Sequence, residues 1–265
     1  MLKTYGKKMK NKLFWIALIV GTLTLLGSCK KSDDDSTTTT ASCGGSGATE
    51  LTCSYSASGS ITGIDNTSTS LSGIFSPYHY WGHIGINGVD NATDCIDNAT
   101  IIAQQSPPTG TNSIIVNRAI TSSSSFSDRR FYYSDSSCST EIATKAYGYT
   151  NFTVGDNVTS LATSVGNSSY PSSAMKVSYK QTCINIKANS DAGVTYLKTE
   201  FAGVDIQSGT TYQCEVSGTS TDYALWHIVD SSVAGAGLDS LVFEEGSSGY
   251  PDNWSSSANT YTKLP

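Results

Sequence analysis

Four stretches of the chain alternate apolar and polar residues at a period of two: SIIVNRAIT (113–121), SFSDRRFYYSD (125–135), TEIATKAYGYTNFTV (140–154) and AMKVSYKQTCINIKA (174–188). Successive side chains of a strand point to opposite faces, so this period predicts strands with one dry face. In the first, Ile114, Val116 and Ile120 share a face that Arg118 interrupts. In the second, Arg129 and Arg130 are adjacent, point opposite ways and form no shared clamp. The turn SDSSCS between the second and third reads as a hairpin with Cys138 at its tip. In the fourth, Met175, Val177, Tyr179 and Cys183 fall on one side.

Shorter runs extend the pattern: SGSITGI, YHYWGHIGI, TYQCEV (211–216), YALWHIV (223–229), SLVFEE (240–245) and TYTKL (260–264). The total is roughly eight to ten strands. One segment departs from it: SDAGVTYLKTEFAG (190–203) has Ser190 as N-cap, Asp191 in the first turn and Val194, Leu197 and Phe201 on one stripe, which predicts a short helix. Charged residues make up only 14%, too few for a helical domain built on Glu and Lys. The expected fold is all-β, a single antiparallel up-and-down barrel with one short helix, with a β-sandwich as the alternative.

The amino terminus has a different logic. Lysines at 3, 7, 8, 10 and 12 precede LFWIALIVGTLTLL and then Gly27 and Ser28. An apolar zone of about 14 residues is shorter than the ~20 a spanning helix needs, which favours a secretory signal over residues 1–28. Leu26-Gly27-Ser28-Cys29 resembles the bacterial lipobox. The resemblance implies that Cys29 becomes the first mature residue and carries acyl chains, each buried CH₂ contributing about 0.8 kcal/mol of membrane attachment. Residues 29–56 are nearly all polar and read as a tether, leaving 57–265 as the β domain. Lys30-Lys31-Ser32-Asp33-Asp34-Asp35 is similar to the basic-then-acidic signals of some Gram-negative surface lipoproteins, so the expected location is the outer membrane of the cell envelope. Of the 16 basic residues five are in the signal, which leaves eleven against 22 acids, a net −11. Such a chain does not track phosphate backbones, and nucleic acid is not an expected partner.

Seven cysteines are present. Setting Cys29 aside leaves six, Cys43, Cys53, Cys95, Cys138, Cys183 and Cys214, an even set in an exported chain. Among fifteen possible connectivities, Cys43–Cys53, Cys95–Cys138 and Cys183–Cys214 are the expected bridges.

Over residues 110–265 the hairpin FYYSDSSCSTEI, the following GYTNFTVGD and the closing LVFEEGSSGYPDNW…YTKL resemble bacterial lipoproteins with a lipocalin-like barrel. Gly73-Ile74-Phe75 stands where lipocalins carry Gly-x-Trp, with phenylalanine in place of tryptophan. The resemblance implies a small apolar or amphipathic ligand inside the barrel. The alternative is a surface module that contacts a glycan or a protein without enzymatic activity.

Candidate site residues are few. Trp81, Trp226, Tyr179 and His227 are the aromatic candidates for ligand contact. His79 and His83, four apart, are candidate metal ligands with Asp90 or Asp94 as a carboxylate. His227 shares its strand face with Leu225 and Val229, at the interior or the rim. Glu244 and Glu245 are adjacent on a strand and point to opposite faces, so they are no glycosidase pair. No Gly-x-Ser-x-Gly elbow occurs, and neither a catalytic set nor a cofactor is expected. The lipidation reading has a direct check: label from palmitate should enter the protein and vanish in Cys29→Ala, and label that persists in the variant would refute it.

Overall fold

The computed structural model describes residues 40–42, 55–64, 70–77, 95–165, 168–216, 219–230, 239–256 and 258–264. Along the chain these form β1 (Thr40–Ser42), β2 (Ser60–Thr62), β3 (Ser70–Ser72), β4 (Ile74–Ser76), α1 (Ala99–Gln104), β5 (Ser113–Ser122), β6 (Ser125–Tyr133), β7 (Glu141–Thr159), β8 (Ser164–Val165), β9 (Ser168–Ser169), β10 (Ser173–Ala188), α2 (Asp191–Glu200), β11 (Thr211–Glu215), β12 (Asp222–Val229), β13 (Ser240–Glu245) and β14 (Asn259–Lys263).

Eight strands close a barrel in chain order. The sequence around it is β4, β5, β6, β7, β10, β12, β13 and β14, each antiparallel to the next, and β14 returns to β4. This is the up-and-down barrel that the alternation implies, and its closure excludes a sandwich. The seam is β4, which makes only two register pairs with each neighbour.

The wall has two heights. On β10, residues 175–179 pair with β12, whereas residues 183–187 pair with the ninth strand, β11. The short side, formed by β12, β13, β14 and β4, therefore stops at Asp222, Glu245, Asn259 and Ser76, while β5, β6, β7 and β10 run on above it.

The lower half is solid. Phe126, Phe152, Tyr179, Trp226 and Phe243 fill it, and Ile61, Ile64 and Leu71 from the β2–β3 hairpin close its floor. Rings meet edge to face or offset, Phe126 lying 4.9 Å from Tyr179 and Phe152 4.9 Å from Trp226 between centroids, spacings at which aromatic pairs attract beyond their buried area. Over the upper sheet, Ile101 and Ile102 of α1 and Leu197 of α2 cover Ile114, Tyr132, Ala143 and Ile186. Ser190 caps α2 as expected, its hydroxyl accepting from Gly193 N. The helix α1 was not expected; its signal is Asn98, whose side chain accepts from Thr100 N and Ile101 N.

Three expectations change. First, β1 lies within the stretch read as tether, yet it pairs in parallel with β11, Thr40 opposite Thr211. Second, Cys183 does not share a face with Tyr179. The β7–β10 ladder carries a bulge between Gln181 and Cys183, where two steps along β10 match one along β7, and this extra residue breaks the simple alternation of β10. Cys183 consequently lies opposite Gly148 on the outer face, and Gly148 has no room for a Cβ because the Cys183 sulfur occupies that place. Third, Cys183 and Cys214 are both disulfide-bonded but not to each other: Cys183 opposes Glu215 and Ile184 opposes Cys214, which sets the two sulfurs on opposite faces of the sheet. Cys43 and Cys53 lie outside the described residues, as does the run YHYWGHIGI from Tyr78 onward.

Cys95–Cys138 is formed, across a sequence separation of 43. Its turn is organised by Asp135, whose carboxylate accepts from the Ser137, Ser139 and Thr140 amides and the Ser137 hydroxyl. Those bonds hold the Asp135 carboxyl well below the usual carboxylate range. A non-reducing peptide map should link Cys95 to Cys138, and a Cys183–Cys214 peptide would overturn the register argument. Cys138→Ser together with Cys95→Ser should cost about 4 kcal/mol by loop-closure entropy, read by urea denaturation.

Candidate functional site

The site is the row of inward side chains at the level where the short wall ends. Arg118 of β5 opposes Asp128 of β6, which opposes Tyr147 of β7; one step higher, Val116 opposes Arg130, which opposes Lys145. All of these point inward, since Ile120, Phe126 and Tyr149 two residues along belong to the lower core. Tyr179 of β10 and, from the short wall, Glu245 and Tyr261 meet the same row.

Arg118 is the residue that interrupts an apolar face in the sequence. It is 2% exposed. Its Nε donates to Asp128 Oδ1 at 2.7 Å and its Nη2 to Oδ2 at 2.8 Å, the bidentate geometry that gives guanidinium–carboxylate pairs their strength. Glu245 Oε1 stands 3.9 Å away. The guanidinium carbon also lies 4.3 Å from the Phe243 ring centre, 4.7 Å from Phe126, 5.1 Å from Trp226 and 5.5 Å from Tyr261. Burial opposes the charge, but the Asp128 charge and hydrogen bonds outweigh it and raise the Arg118 pKa.

Higher in the barrel, Lys145 is 3% exposed and is held by α2. Its Nζ donates to Tyr196 Oη at 2.6 Å and to the Glu200 carboxylate at 2.8 and 2.9 Å. Beside α2, Tyr196 also lines an open cleft of about 460 Å³ with Pro107, Pro108, Thr195 and Thr199.

Between these two ion pairs the row is accessible to water. The Asp128 side chain is 28% exposed, Glu200 34% and Glu245 59%, and Arg130, Tyr147 and Tyr261 are part-exposed. The enclosing walls still act on them. Burial raises the Glu245 carboxyl, against the pull of Arg118, and raises the Tyr147 and Tyr261 phenols, which stay protonated as donors.

No protein-family model and no curated protein matches the chain. Function is therefore argued from these residues.

Of the residues singled out from sequence, Tyr179 lies at the floor of the row, 2% exposed, with its hydroxyl donating to Glu245 Oε1 at 3.4 Å. Trp226 is fully buried beneath it. His227 is not interior: its neighbours Trp226 and Ile228 point inward, so it faces outward with Leu225, which packs against Val242 and Trp254 outside the barrel. Trp81, His79 and His83 lie outside the described residues. The adjacent glutamates separate as expected, Glu245 inward and Glu244 outward to the Ser255 amide and hydroxyl. The same holds for the adjacent arginines, with Arg130 inward while Arg129 donates outside the barrel to Asn117 Oδ1 and Tyr55 O.

Sequence reading missed the pairing of Arg118 with Asp128, although its signal was present as two charges on the apolar faces of two strands joined by a tight turn. The pair makes a non-additive prediction. Asp128→Leu leaves Arg118 as a buried charge without its main partner and should cost about 3 kcal/mol. The double variant Arg118→Met/Asp128→Leu should be more stable than that single variant, as read by urea denaturation; the reverse order would show that isolated charge is not what the pair prevents.

Proposed function

We propose that this chain is a lipid-anchored lipoprotein of the cell envelope whose barrel mouth binds a small amphipathic ligand. The observation that carries the reading is the two-level interior: a solid aromatic floor below, and above it a water-accessible row of charges and protonated phenols enclosed by the tall wall. A filled lower half leaves no place for a deeply buried, purely apolar ligand. The mouth instead offers polar groups beside the part-exposed, apolar Ile184, the mixture typical of small-molecule sites. The leader and Cys29 support the anchor, and the disulfides support an oxidising compartment.

The alternative, a surface module that stacks glycans on exposed aromatics, has less support. Among the described residues both tryptophans, Trp226 and Trp254, are buried, at 0% and 3% exposure.

Dansyl-undecanoic acid, a fluorescent amphiphile, tests the reading. Titrated into the whole protein, it should give a saturable, blue-shifted rise in dansyl emission with quenching of tryptophan emission. The absence of saturable binding, for this probe and for its methyl ester, would overturn it.

A further inference from the structure

We propose that Arg130 holds the acid group of a carboxylate-bearing amphiphile at the barrel mouth, an inference that rests on the ligand-binding reading above. Of the cations that face one another at the mouth, two already have partners. Arg118 is taken by Asp128 in a bidentate pair, and Lys145 is taken by Glu200 and Tyr196. Arg130 lies between them, directly opposite Lys145 on β7 and two residues from Asp128 on its own strand.

Among the described residues Arg130 has neither a hydrogen-bond acceptor nor an ion-pair partner. Two like charges directly across a strand pair repel, and the carboxylates of the row are engaged elsewhere, Glu200 by Lys145, Asp128 by Arg118 and Glu245 by Tyr179 and Arg118. Arg130 is thus the one cation of the row with no counter-ion among the described residues, and an anion that enters the mouth meets it. Burial works against the charge on Arg130, but its neighbours, Asp128 among them, raise its pKa, and it stays a cation.

The chemistry of the walls selects the class of ligand. A guanidinium presents a planar fork that matches a carboxylate, and Tyr147, protonated and one register pair below, supplies a neutral donor. Ile184, part-exposed and opposite Tyr147, offers an apolar surface to an alkyl or aryl tail. The fit is to a single acid group on an apolar body.

The test compares dansyl-undecanoic acid with its methyl ester on the wild-type protein, Arg130→Met, Arg130→Lys and, as an outward control, Arg129→Met. The acid should bind at least about tenfold tighter than the ester, as expected for a charge-assisted hydrogen bond. That ratio should fall to about one in Arg130→Met, recover in part in Arg130→Lys and stay unchanged in Arg129→Met. Equal binding of acid and ester to the wild type overturns this inference and leaves the ligand-binding reading standing, whereas saturable binding of neither overturns that reading itself. A preference for the acid that survives in Arg130→Met overturns the assignment to Arg130. The wild-type comparison decides the charge preference even where a variant does not fold.

Discussion

One buried cation organises this barrel. Arg118 reaches from β5 to a carboxylate on β6, a second carboxylate on β13 and rings on β6, β12, β13 and β14. Those contacts span the seam at β4, where backbone pairing is thinnest. A cation over an aromatic face gains about 0.5–2 kcal/mol when desolvated, and several rings share this one. The side chain thus links the two edges of the sheet through the interior where the ladder between them is only two residues wide.

The same pair divides the interior. Below Arg118 and Asp128 lies a packed cluster of apolar and aromatic side chains; above them the polar row begins, and the wall loses four of its eight strands. Helices replace the missing strands as the cover for the upper sheet, so the apolar clusters lie at the two ends and the charges between them. Buried charge is costly unless paired, which explains why Arg118 and Lys145, the two most deeply buried cations of the row, each have a carboxylate and why the part-exposed Arg130 can stand without one.

Much of the fold was legible in residues taken two at a time. Alternation located β5, β6, β7 and β10 because each has a dry face that must be matched, and SLVFEE coincides with β13 residue for residue. It failed where the period itself breaks. The bulge in β10 between Gln181 and Cys183 flips Cys183 to the outer face, and nothing in KQTCIN marks it, since a bulge is imposed by the partner strand. His227 was placed on the correct face relative to Leu225 and Val229, but which face is interior depends on what packs outside, here Trp254 and Leu161. The mouth was illegible for a related reason. Arg118, Asp128, Arg130 and Glu245 were visible as charges in strands, yet only closure of the barrel brings β13 across from β5 and β6.

The pairing of β1 with β11 has a consequence for where the molecule can stand. Only ten residues, eleven Cα-to-Cα steps, separate Cys29 from Thr40, and a fully extended chain advances at most about 3.6 Å per step. On the proposed anchor, the leash from acyl chains to sheet is therefore no longer than about 40 Å, roughly a bilayer's full thickness, and it joins the barrel at the extra strand beside its tall wall. The barrel would be moored close to the lipid surface by one flank, within reach of molecules that leave or enter that surface.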